Sequence, residues 1–277
     1  MVHPILSVAY RYVIAAALLI GFCLARRKTL RFSPRDHLGI AAQGAFLFSL
    51  NYVLFYIAAS HLTSGLLALT FSTIVLMNML NGAWLFRFPV SGQVLAGAGL
   101  GLSGITLVFW PELTAFEASR ETLFAIGLAI FATYLASLGN MGSVYTQRRR
   151  LPVVQTNALG MAYGAVITLA VAAGAAAAGQ LEFAFDASFP YVASLLYLAV
   201  FGSVLAFGAY LTLLGRIGAD RAAYATVLFP LVALTISTVF EGYRWSAPAM
   251  AGTVLILVGN GLVLKARRVV KKPPAPP

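Results

Sequence analysis

The chain has 277 residues, of which 60% are hydrophobic and 10% are charged, and its mean hydropathy is +0.87. Soluble domains carry about one-quarter charged residues, so this composition excludes an ordinary soluble protein and indicates an integral membrane protein. The net charge is +11, and the single cysteine, Cys23, excludes a disulfide within the chain.

Apolar runs of about 20 residues, the length that crosses a hydrocarbon core as an α-helix, predict the membrane spans. Nine such spans follow one another along the chain, at 4–25, 37–59, 62–86, 91–110, 122–146, 153–179, 189–214, 219–241 and 247–265. Runs such as 166–179 lack the alternation of a transmembrane β-barrel strand. The sequence therefore predicts an all-α integral membrane protein.

The basic residues predict the direction of these spans. When loops are assigned alternately to the two sides, sixteen of the 19 Lys and Arg residues fall on one side. They are Arg26, Arg27, Lys28, Arg31, Arg35, Arg87, Arg148, Arg149, Arg150, Arg216, Arg221, Lys265, Arg267, Arg268, Lys271 and Lys272. By the positive-inside rule that side is cytoplasmic, so we expect a multi-pass inner (plasma) membrane protein with a cytoplasmic carboxyl terminus. The positive charge is thus a topology signal, which argues against nucleic-acid binding.

An internal repeat relates the two halves of the chain. A shift of 155 positions places residues 61–80 on 216–235, Gly97 on Gly252 and Gly104 on Gly259. The span 122–146 has no counterpart in the first half, so we expect two five-helix repeats whose first helix is absent from this chain. Because five is odd, the repeats would cross the membrane in opposite senses, as in many secondary transporters.

This repeat predicts the domain organisation. The first repeat, with helices two to five, covers 1–110, an external linker covers 111–121, the second repeat, with helices six to ten, covers 122–265, and a basic cytoplasmic tail covers 266–277. Short loops leave no room for a soluble domain, so any function must lie within the bilayer. The glycine-rich segments 97–101 and 259–261 predict scaffold packing or a dimer face.

Enzyme motifs are missing from the sequence. It has no HExxH, P-loop or GxSxG motif, and no cluster of His, Cys, Asp or Glu with metal-ligand spacing. His3, His37 and His61 all fall at span ends. We therefore expect neither an enzyme nor a cofactor or metal site.

Two stretches resemble a known family. Residues 3–19, HPILSVAYRYVIAAALL, are similar to the second helix of EamA-type members of the drug/metabolite transporter superfamily, with its arginine. Residues 210–264 are similar to the last three helices of that family, with their proline, glutamate and closing glycines. The resemblance covers essentially the whole chain apart from the missing first helix, and the aromatic-rich helices are most similar to the YddG-like exporters of aromatic and hydrophobic amino acids.

The resemblance implies a ten-helix fold that exports small metabolites. It also implies a central substrate cavity, framed in this chain by the spans 37–59, 62–86, 122–146, 189–214 and 219–241 together with the missing first helix. The first repeat departs from the pattern, because Val75 and Phe86 stand where Pro230 and Glu241 would fall.

Neutral polar and aromatic side chains within these spans are the candidate substrate-binding residues. They are Asn51, Tyr52, Tyr56, Thr73, Met77, Asn78, Tyr134, Asn140, Tyr197, Tyr210 and Tyr224. Within a bilayer, polar groups need hydrogen-bond partners and so should face the bundle interior. For Asn51, Asn78 and Asn140 two roles remain open, hydrogen bonding between helices and lining of a cavity. For single hydroxyl residues and for tyrosines near span ends, a structural role is favoured. Such a cavity suits an apolar or aromatic body with a polar end, and not a phosphate.

Three further residues are predicted to have structural or gating roles. Arg11 is the only basic residue within a span, and a structural ion pair or snorkelling is favoured over binding of a substrate carboxylate. Pro230 is expected to bend the span 219–241 beside the cavity. Glu241 is expected at the external, hydrated boundary of that span.

Together these features predict a secondary transporter that exports a small metabolite, an aromatic or hydrophobic amino acid, by alternating access. No carboxylate falls at mid-membrane, so coupling to protons through a buried acid is unsupported. The alternatives are an exporter of multiple cationic drugs, and a non-transporting scaffold or receptor whose interior asparagines all pair with other helices. The expected partners are a small-molecule substrate and the lipid bilayer, with the protein a monomer or weak homodimer.

Overall fold

A computed structural model describes residues 2–114, 119–219, 221–222, 232, 235, 238–239 and 245–265. Its regular elements in these ranges are helices: α1 Pro4–Ala25, α2 Pro34–Ala59, α3 Gly65–Phe86, α4 Gly92–Val108, α5 Trp110–Thr114, α6 Arg120–Arg148, α7 Val153–Ala177, α8 Phe189–Ile217 and α9 Ala247–Lys265. Six of them, α1, α2, α3, α6, α7 and α8, are long and apolar enough to cross a membrane, and α4 and α9 are shorter apolar helices. These elements confirm the helical spans predicted in the same ranges. Most of the predicted span 219–241 and the tail 266–277 lie outside the described residues.

Helix starts follow local capping signals. The hydroxyl of Ser33 accepts from the backbone nitrogen of Asp36 at the start of α2, and Pro34 occupies the first turn. Ser119 caps α6 in the same way, by accepting from the backbone nitrogen of Thr122. These side chains satisfy backbone donors that have no partner within their own helix.

Three helices end in a left-handed backbone conformation supplied by arginine. Arg27 follows α1 with φ 51°, Arg87 follows α3 with φ 54°, and Arg150 follows α6 with φ 59°. Glycine is the usual residue at such helix ends, because it adopts positive φ without a steric penalty. All three arginines belong to the side predicted to be cytoplasmic.

Helix α2 is held closely between α6 and α7. A Cβ placed on Gly44 would lie 2.3 Å from the carbonyl oxygen of Gly160 on α7, and one on Gly139 of α6 would lie 2.6 Å from Cβ of Leu47. Glycine at these positions lets the helix backbones approach closely. Because α2 lies in the first half of the chain and α6 and α7 in the second, this contact joins the two halves.

Helices α4 and α9 form a second close pair. A Cβ on Gly104 would lie 2.6 Å from the carbonyl oxygen of Gly252, and one on Gly259 would lie 2.7 Å from that of Gly97. As residue numbers increase along α4, the residues that they contact on α9 decrease in number, so the two helices run antiparallel. The glycine-rich segments therefore pack against each other within one chain, which is the scaffold packing expected for them.

Two membrane helices contain π-helical segments, Phe46–Leu50 in α2 and Leu198–Leu205 in α8. A shift of 155 positions places residues 46–50 on 201–205, within the second segment. Such i→i+5 turns are rare and often occur at functional sites. The α-helical pattern of α3 is also broken once, at Thr73, whose backbone nitrogen donates to the carbonyl oxygen of Thr70.

Candidate functional site

A polar cluster of Asn78, Asn140 and Tyr210 lies where α3, α6 and α8 meet. The side-chain nitrogen of Asn140 donates to Oδ1 of Asn78 at 3.3 Å and to the hydroxyl of Tyr210 at 3.0 Å. The side-chain nitrogen of Asn78 donates to the carbonyl oxygen of Ala219 at 3.2 Å. Both asparagines are 1% exposed. This Asn78–Asn140–Tyr210 cluster is uncharged and joins one helix of the first half to two of the second.

The polar face of α6 extends the cluster in both directions. One turn before Asn140, Ser137 accepts a hydrogen bond from the side-chain nitrogen of Asn81 at 2.9 Å. Two turns after Asn140, Nε2 of Gln147 donates to the carbonyl oxygen of Leu211 at 2.9 Å. Residues at these spacings lie on one helix face, which here is directed at α3 and α8.

Two buried amide oxygens of the candidate asparagines have no hydrogen-bond partner among the described residues. They are Oδ1 of Asn140 and Oδ1 of Asn51, and Asn51 is 5% exposed. A buried acceptor without a partner is costly, and in native proteins such a group calls for a bound molecule or another explanation. Asn78 and Asn140 therefore link helices, and Asn140 and Asn51 each retain a free acceptor.

The structure separates the remaining candidates. The hydroxyl of Thr73 donates to the carbonyl oxygen of Thr70 within its own helix at 2.6 Å. Met77 and Tyr134 are half-buried, whereas Tyr56 and Tyr197 are exposed, the latter at 62%. Tyr197 stacks on Phe201 at a centroid distance of 5.2 Å and lies apart from the polar cluster. Tyr224, Pro230 and Glu241 lie outside the described residues.

Arg11 on α1 is held by the π-helical segment of α8. Its Nε donates to the hydroxyl of Ser203 at 2.7 Å, and its Nη2 donates to the carbonyl oxygen of Gly202 at 2.9 Å. The guanidinium carbon lies 5.4 Å from the ring centre of Tyr12 and 5.6 Å from that of Tyr52. Among the described residues no carboxylate pairs with Arg11, so hydrogen bonds and cation–π contacts take the place of the expected ion pair.

An aromatic row connects Arg11 to the polar cluster. Tyr52 packs on Tyr12 at 5.5 Å, Tyr12 on Phe48 at 5.4 Å, and Phe48 on Phe207 at 5.0 Å between ring centres. Phe207 lies one helical turn before Tyr210 on α8. This row, Tyr52, Tyr12, Phe48 and Phe207, supplies a wall of ring edges and faces drawn from three helices.

Sequence reasoning missed one buried polar pair between α2 and α7. Nε2 of Gln43 donates to Oδ1 of Asn157 at 3.1 Å, and these residues are 0% and 1% exposed. The other side-chain atoms of both amides, Oε1 and Nδ2, have no partner among the described residues. The signal that identified the three asparagines, an amide within an apolar span, would have found this pair as well.

Contacts at the two ends of the bundle also join the halves of the chain. At one end Arg149 forms an ion pair with Asp36, which is buried and accepts from Ser33. At the other end the hydroxyls of Ser7 and Tyr191 lie 3.0 Å apart. Either end could therefore be closed by its own set of polar contacts.

Comparison with known proteins decides the family. Residues 1–110 and 123–265 match the EamA-like transporter family. The chain belongs to this family. The match confirms the resemblance to EamA-type members of the drug/metabolite transporter superfamily, and with its membrane-spanning helices it identifies the chain as a membrane transporter.

Curated relatives of this EamA chain are distant but align along most of their length. The probable amino-acid metabolite efflux pump of Escherichia coli is 24% identical, covering 97% of this chain and 89% of that protein. The uncharacterized inner membrane transporter YedA of E. coli is 26% identical over 98% and 86%. Protein PagO of Salmonella typhimurium is 22% identical over 97% and 86%.

A solved crystal structure shares the fold of this EamA chain. It superposes with a TM-score of 0.78 over 95% of this chain and 87% of the other, at 17% sequence identity. At that identity the likeness concerns the fold alone.

Proposed function

We propose that this EamA chain is a secondary transporter that exports amino acids with aromatic or hydrophobic side chains, by alternating access through a central cavity. The observation that carries the proposal is the buried, uncharged Asn78–Asn140–Tyr210 cluster beside the aromatic row. Neutral hydrogen-bonding groups and aromatic surface suit an apolar body with a polar end. The E. coli relative named probable amino-acid metabolite efflux pump is consistent with this substrate class.

The glycine contacts of α4 and α9 support two inverted repeats. If the two halves are related by a two-fold axis, Gly97 exchanges with Gly252 and Gly104 with Gly259. The contact between Gly104 and Gly252 then maps onto the contact between Gly259 and Gly97, and both occur at similar distances, 2.6 and 2.7 Å. We therefore propose a ten-helix design whose first repeat covers 1–110 and whose second covers 122–265.

The π-helical segments follow the same relation. The segment of α8 is contacted from α1, where Arg11 donates to Ser203, and the segment of α2 is contacted from α7, where Thr168 donates to Ser49 at 2.8 Å. Under the repeat, α1 corresponds to α7 and α2 to α8. Each repeat therefore places an irregular helix segment against a polar side chain of the other repeat.

Alternating access follows from contacts that can break and re-form. Hydrogen bonds between transmembrane helices contribute only about 0.6 kcal/mol each on average, so the central cluster does not lock the repeats together. At one end the Asp36–Arg149 ion pair joins the repeats, and at the other end Ser7 and Tyr191 do so. Opening one end while the other stays closed would expose the central site to each side in turn.

The two alternatives are less well supported by the described residues. A scaffold protein predicts that all interior asparagines pair with other helices; Asn78 and Asn140 do so, but Asn51 and Asn140 keep free buried oxygens. An exporter of cationic drugs needs a carboxylate near the site, whereas the charged side chain beside the aromatic row is Arg11. The positive group would repel a cation.

The test is flux in sealed proteoliposomes that contain the purified protein. Uptake of radiolabelled phenylalanine and leucine should exceed that of empty liposomes, and an excess of unlabelled substrate inside should accelerate it by exchange. Flux of cationic dyes is measured in parallel as a test of the alternative substrate class. Absence of flux across amino acids and dyes would overturn the transport mechanism, and dye flux without amino-acid flux would overturn the substrate class.

Orientation and localisation form part of the proposal. We expect the protein to lie in the inner membrane as a monomer or weak homodimer, with its tail 266–277 in the cytoplasm. A green fluorescent protein fused after the tail should fluoresce, because it folds in the cytoplasm. An alkaline phosphatase fusion at the same point should be inactive; the opposite pair of results would reverse the orientation.

A further inference from the structure

Arg11 has more hydrogen-bond donors than the described protein groups use. An arginine side chain carries five N–H donors. One of them, on Nε, reaches Ser203 and a second, on Nη2, reaches the carbonyl oxygen of Gly202, which leaves three without a described acceptor. Arg11 is the eighth residue of α1 and lies about 10 Å along the helix axis from its start, at a rise of ~1.5 Å per residue. A half-buried group at this depth needs partners for its donors.

The unused donors have the geometry of a carboxylate site. Ser203 and Gly202 are adjacent residues, and they occupy the Nε–Nη2 edge of the guanidinium. The Nη1–Nη2 edge remains, with two parallel N–H groups whose spacing matches the two oxygens of a carboxylate. The bonds to α8 therefore fix the plane of the guanidinium and leave the donors of its second fork without a described acceptor.

Within the described part of the chain, no acidic side chain balances the charge of Arg11. Among the described residues the only ion pair joins Arg149 to Asp36, at the end of the bundle predicted to be cytoplasmic, and the neighbours of the Arg11 guanidinium are a hydroxyl, a carbonyl oxygen and two tyrosine rings. Ring faces attract a cation but do not neutralise it. An anionic ligand would supply both the missing charge and the missing acceptors.

We propose that Arg11 binds the carboxylate of the transported substrate through its Nη1–Nη2 edge. This inference rests on the proposed function and narrows its substrate class to small molecules with a free carboxylate and an apolar or aromatic body. Held in this way, the body of the ligand lies along the row of Tyr12, Phe48 and Phe207. The fully buried hydroxyl of Tyr12 is a further polar atom beside the aromatic row.

The polar cluster does not bind the α-amino group of the same ligand. Tyr210 lies seven residues beyond Ser203 on α8, a separation of about 10 Å along the helix axis. The amino and carboxylate groups of an amino acid share one carbon atom, so they cannot span this distance. Arg11 therefore selects for the carboxylate, and the apolar body of the ligand lies along the aromatic row between Arg11 and the Asn78–Asn140–Tyr210 cluster.

The experiment compares four analogues as competitors of phenylalanine transport in proteoliposomes. Phenylalanine and 3-phenylpropionate carry the carboxylate, whereas phenylalaninamide and phenylethylamine lack it. For the wild-type protein, removal of the carboxylate should weaken competition by about tenfold or more, as expected for the loss of hydrogen bonds to a charged group. Removal of the amino group should have a much smaller effect.

Variants at Arg11 then assign this preference to one side chain. In Arg11→Gln the KM for phenylalanine should rise by about tenfold or more, while competition by phenylalaninamide stays unchanged, so that the discrimination between acid and amide is lost. Arg11→Lys should keep part of the discrimination, because it keeps the charge without the fork. Ser203→Ala, which removes only an acceptor that positions Arg11, should raise the KM less and preserve the discrimination.

Arg148→Gln is the matched control for loss of an arginine. The guanidinium of Arg148 stacks on the rings of Phe86 and Phe88 at 4.8 Å, outside the proposed site. The Arg148→Gln variant should discriminate between the carboxylic acids and the amide as well as the wild type does. Size-exclusion profiles and thermal midpoints in detergent verify that each variant is folded.

The outcomes separate the inference from the function on which it rests. Amino-acid flux with equal competition by acids and amides, or full discrimination in Arg11→Gln, overturns the role of Arg11 and leaves the transporter intact. If the wild type moves no amino acid, the proposed function fails, and the inference is decided by thermal stabilisation with 3-phenylpropionate, which must occur in the wild type and vanish in Arg11→Gln. If neither Arg11 variant folds, the analogue panel on the wild type decides it: weaker competition by the two analogues that lack the carboxylate supports the site, and equal competition by all four overturns it.

Discussion

Replacement of Gly104 by alanine tests the close packing of α4 and α9. The added methyl group would lie 2.6 Å from the carbonyl oxygen of Gly252, 2.8 Å from Cγ1 of Ile256 and 2.9 Å from its backbone nitrogen. Two of these atoms belong to the backbone, so a rotamer change cannot relieve the contact. Ordinary carbon contacts begin near 3.5 Å, and the two helices must therefore separate by roughly 1 Å.

The matched control is Gly99→Ala on the same helix. No heavy atom lies within 4 Å of a Cβ placed on Gly99. Both substitutions gain about 1 kcal/mol of helix propensity, because alanine replaces glycine within a helix. The difference between them isolates the packing cost, which for inserted carbon atoms in a packed core is typically about 1–3 kcal/mol. For a chain of this size that corresponds to a difference in thermal midpoint of about 2–12 °C.

The single cysteine supplies the assay. Cys23 is buried in α1, so a thiol-reactive fluorophore in detergent reports its exposure on unfolding without competing signals from other cysteines. We expect the midpoint of Gly104→Ala to fall below that of wild type and Gly99→Ala to equal or exceed it. Gly252→Ala, whose Cβ would lie 2.4 Å from the carbonyl oxygen of Gly104, should behave like Gly104→Ala. Equal midpoints for Gly104→Ala and Gly99→Ala would refute the proposed crossing.

Three further predictions use the same protein. Asn140→Leu removes two hydrogen bonds from the polar cluster, and at about 0.6 kcal/mol per bond we expect it to lower the stability by about 1 kcal/mol. Its flux in proteoliposomes should decrease more than that of Thr73→Val, whose hydroxyl bonds only within its own helix. Flux equal to that of the wild type would contradict the proposed site. Gly139→Ala should lower the midpoint because its Cβ would lie 2.6 Å from Cβ of Leu47, whereas Gly127→Ala, with nothing within 4 Å, should not; equal effects would argue against close contact of α2 and α6. Gly215→Ala should disturb only the Gln147 side chain, whose Oε1 would lie 1.7 Å from the new Cβ. The thermal midpoint of Gly215→Ala should therefore match that of Gln147→Ala and that of the double variant. If the two substitutions lower the midpoint additively in the double variant, the backbone also moves.

Hydropathy was sufficient to predict the eight longer helices that the structure describes, whereas the short α5 falls largely in the segment predicted as a linker. A bilayer requires about 20 apolar residues per helix and internal satisfaction of every backbone group, so length and composition suffice. The same reasoning placed Asn78 and Asn140 in the bundle interior, because an amide facing lipid has no hydrogen-bond partner. It did not decide whether they link helices, since that depends on contacts with Tyr210 and Ala219, which lie 70 and 141 positions away from Asn140 and Asn78 in sequence.

Other features depend on contacts that a local pattern does not contain. The π-helical segments have the same apolar composition as the flanking α-helix, so the periodicity of hydrophobic residues does not reveal them. The partners of Arg11 are Ser203 and Gly202, more than 190 positions away in sequence. Tyr197 was a candidate because it is aromatic and lies within a span, yet composition does not distinguish a ring on the outer surface from one in the interior.

The arginines that end α1, α3 and α6 have a consequence for engineering. Arg27, Arg87 and Arg150 adopt positive φ, a conformation that costs a non-glycine residue roughly 1–2 kcal/mol. Replacement by glycine would relieve this strain, and a stability screen in detergent would select it. In the cell the same change would remove positive charges that direct insertion of the helices into the membrane. For these helix ends, a variant chosen for its stability after purification is the one most at risk of being inserted in the wrong orientation.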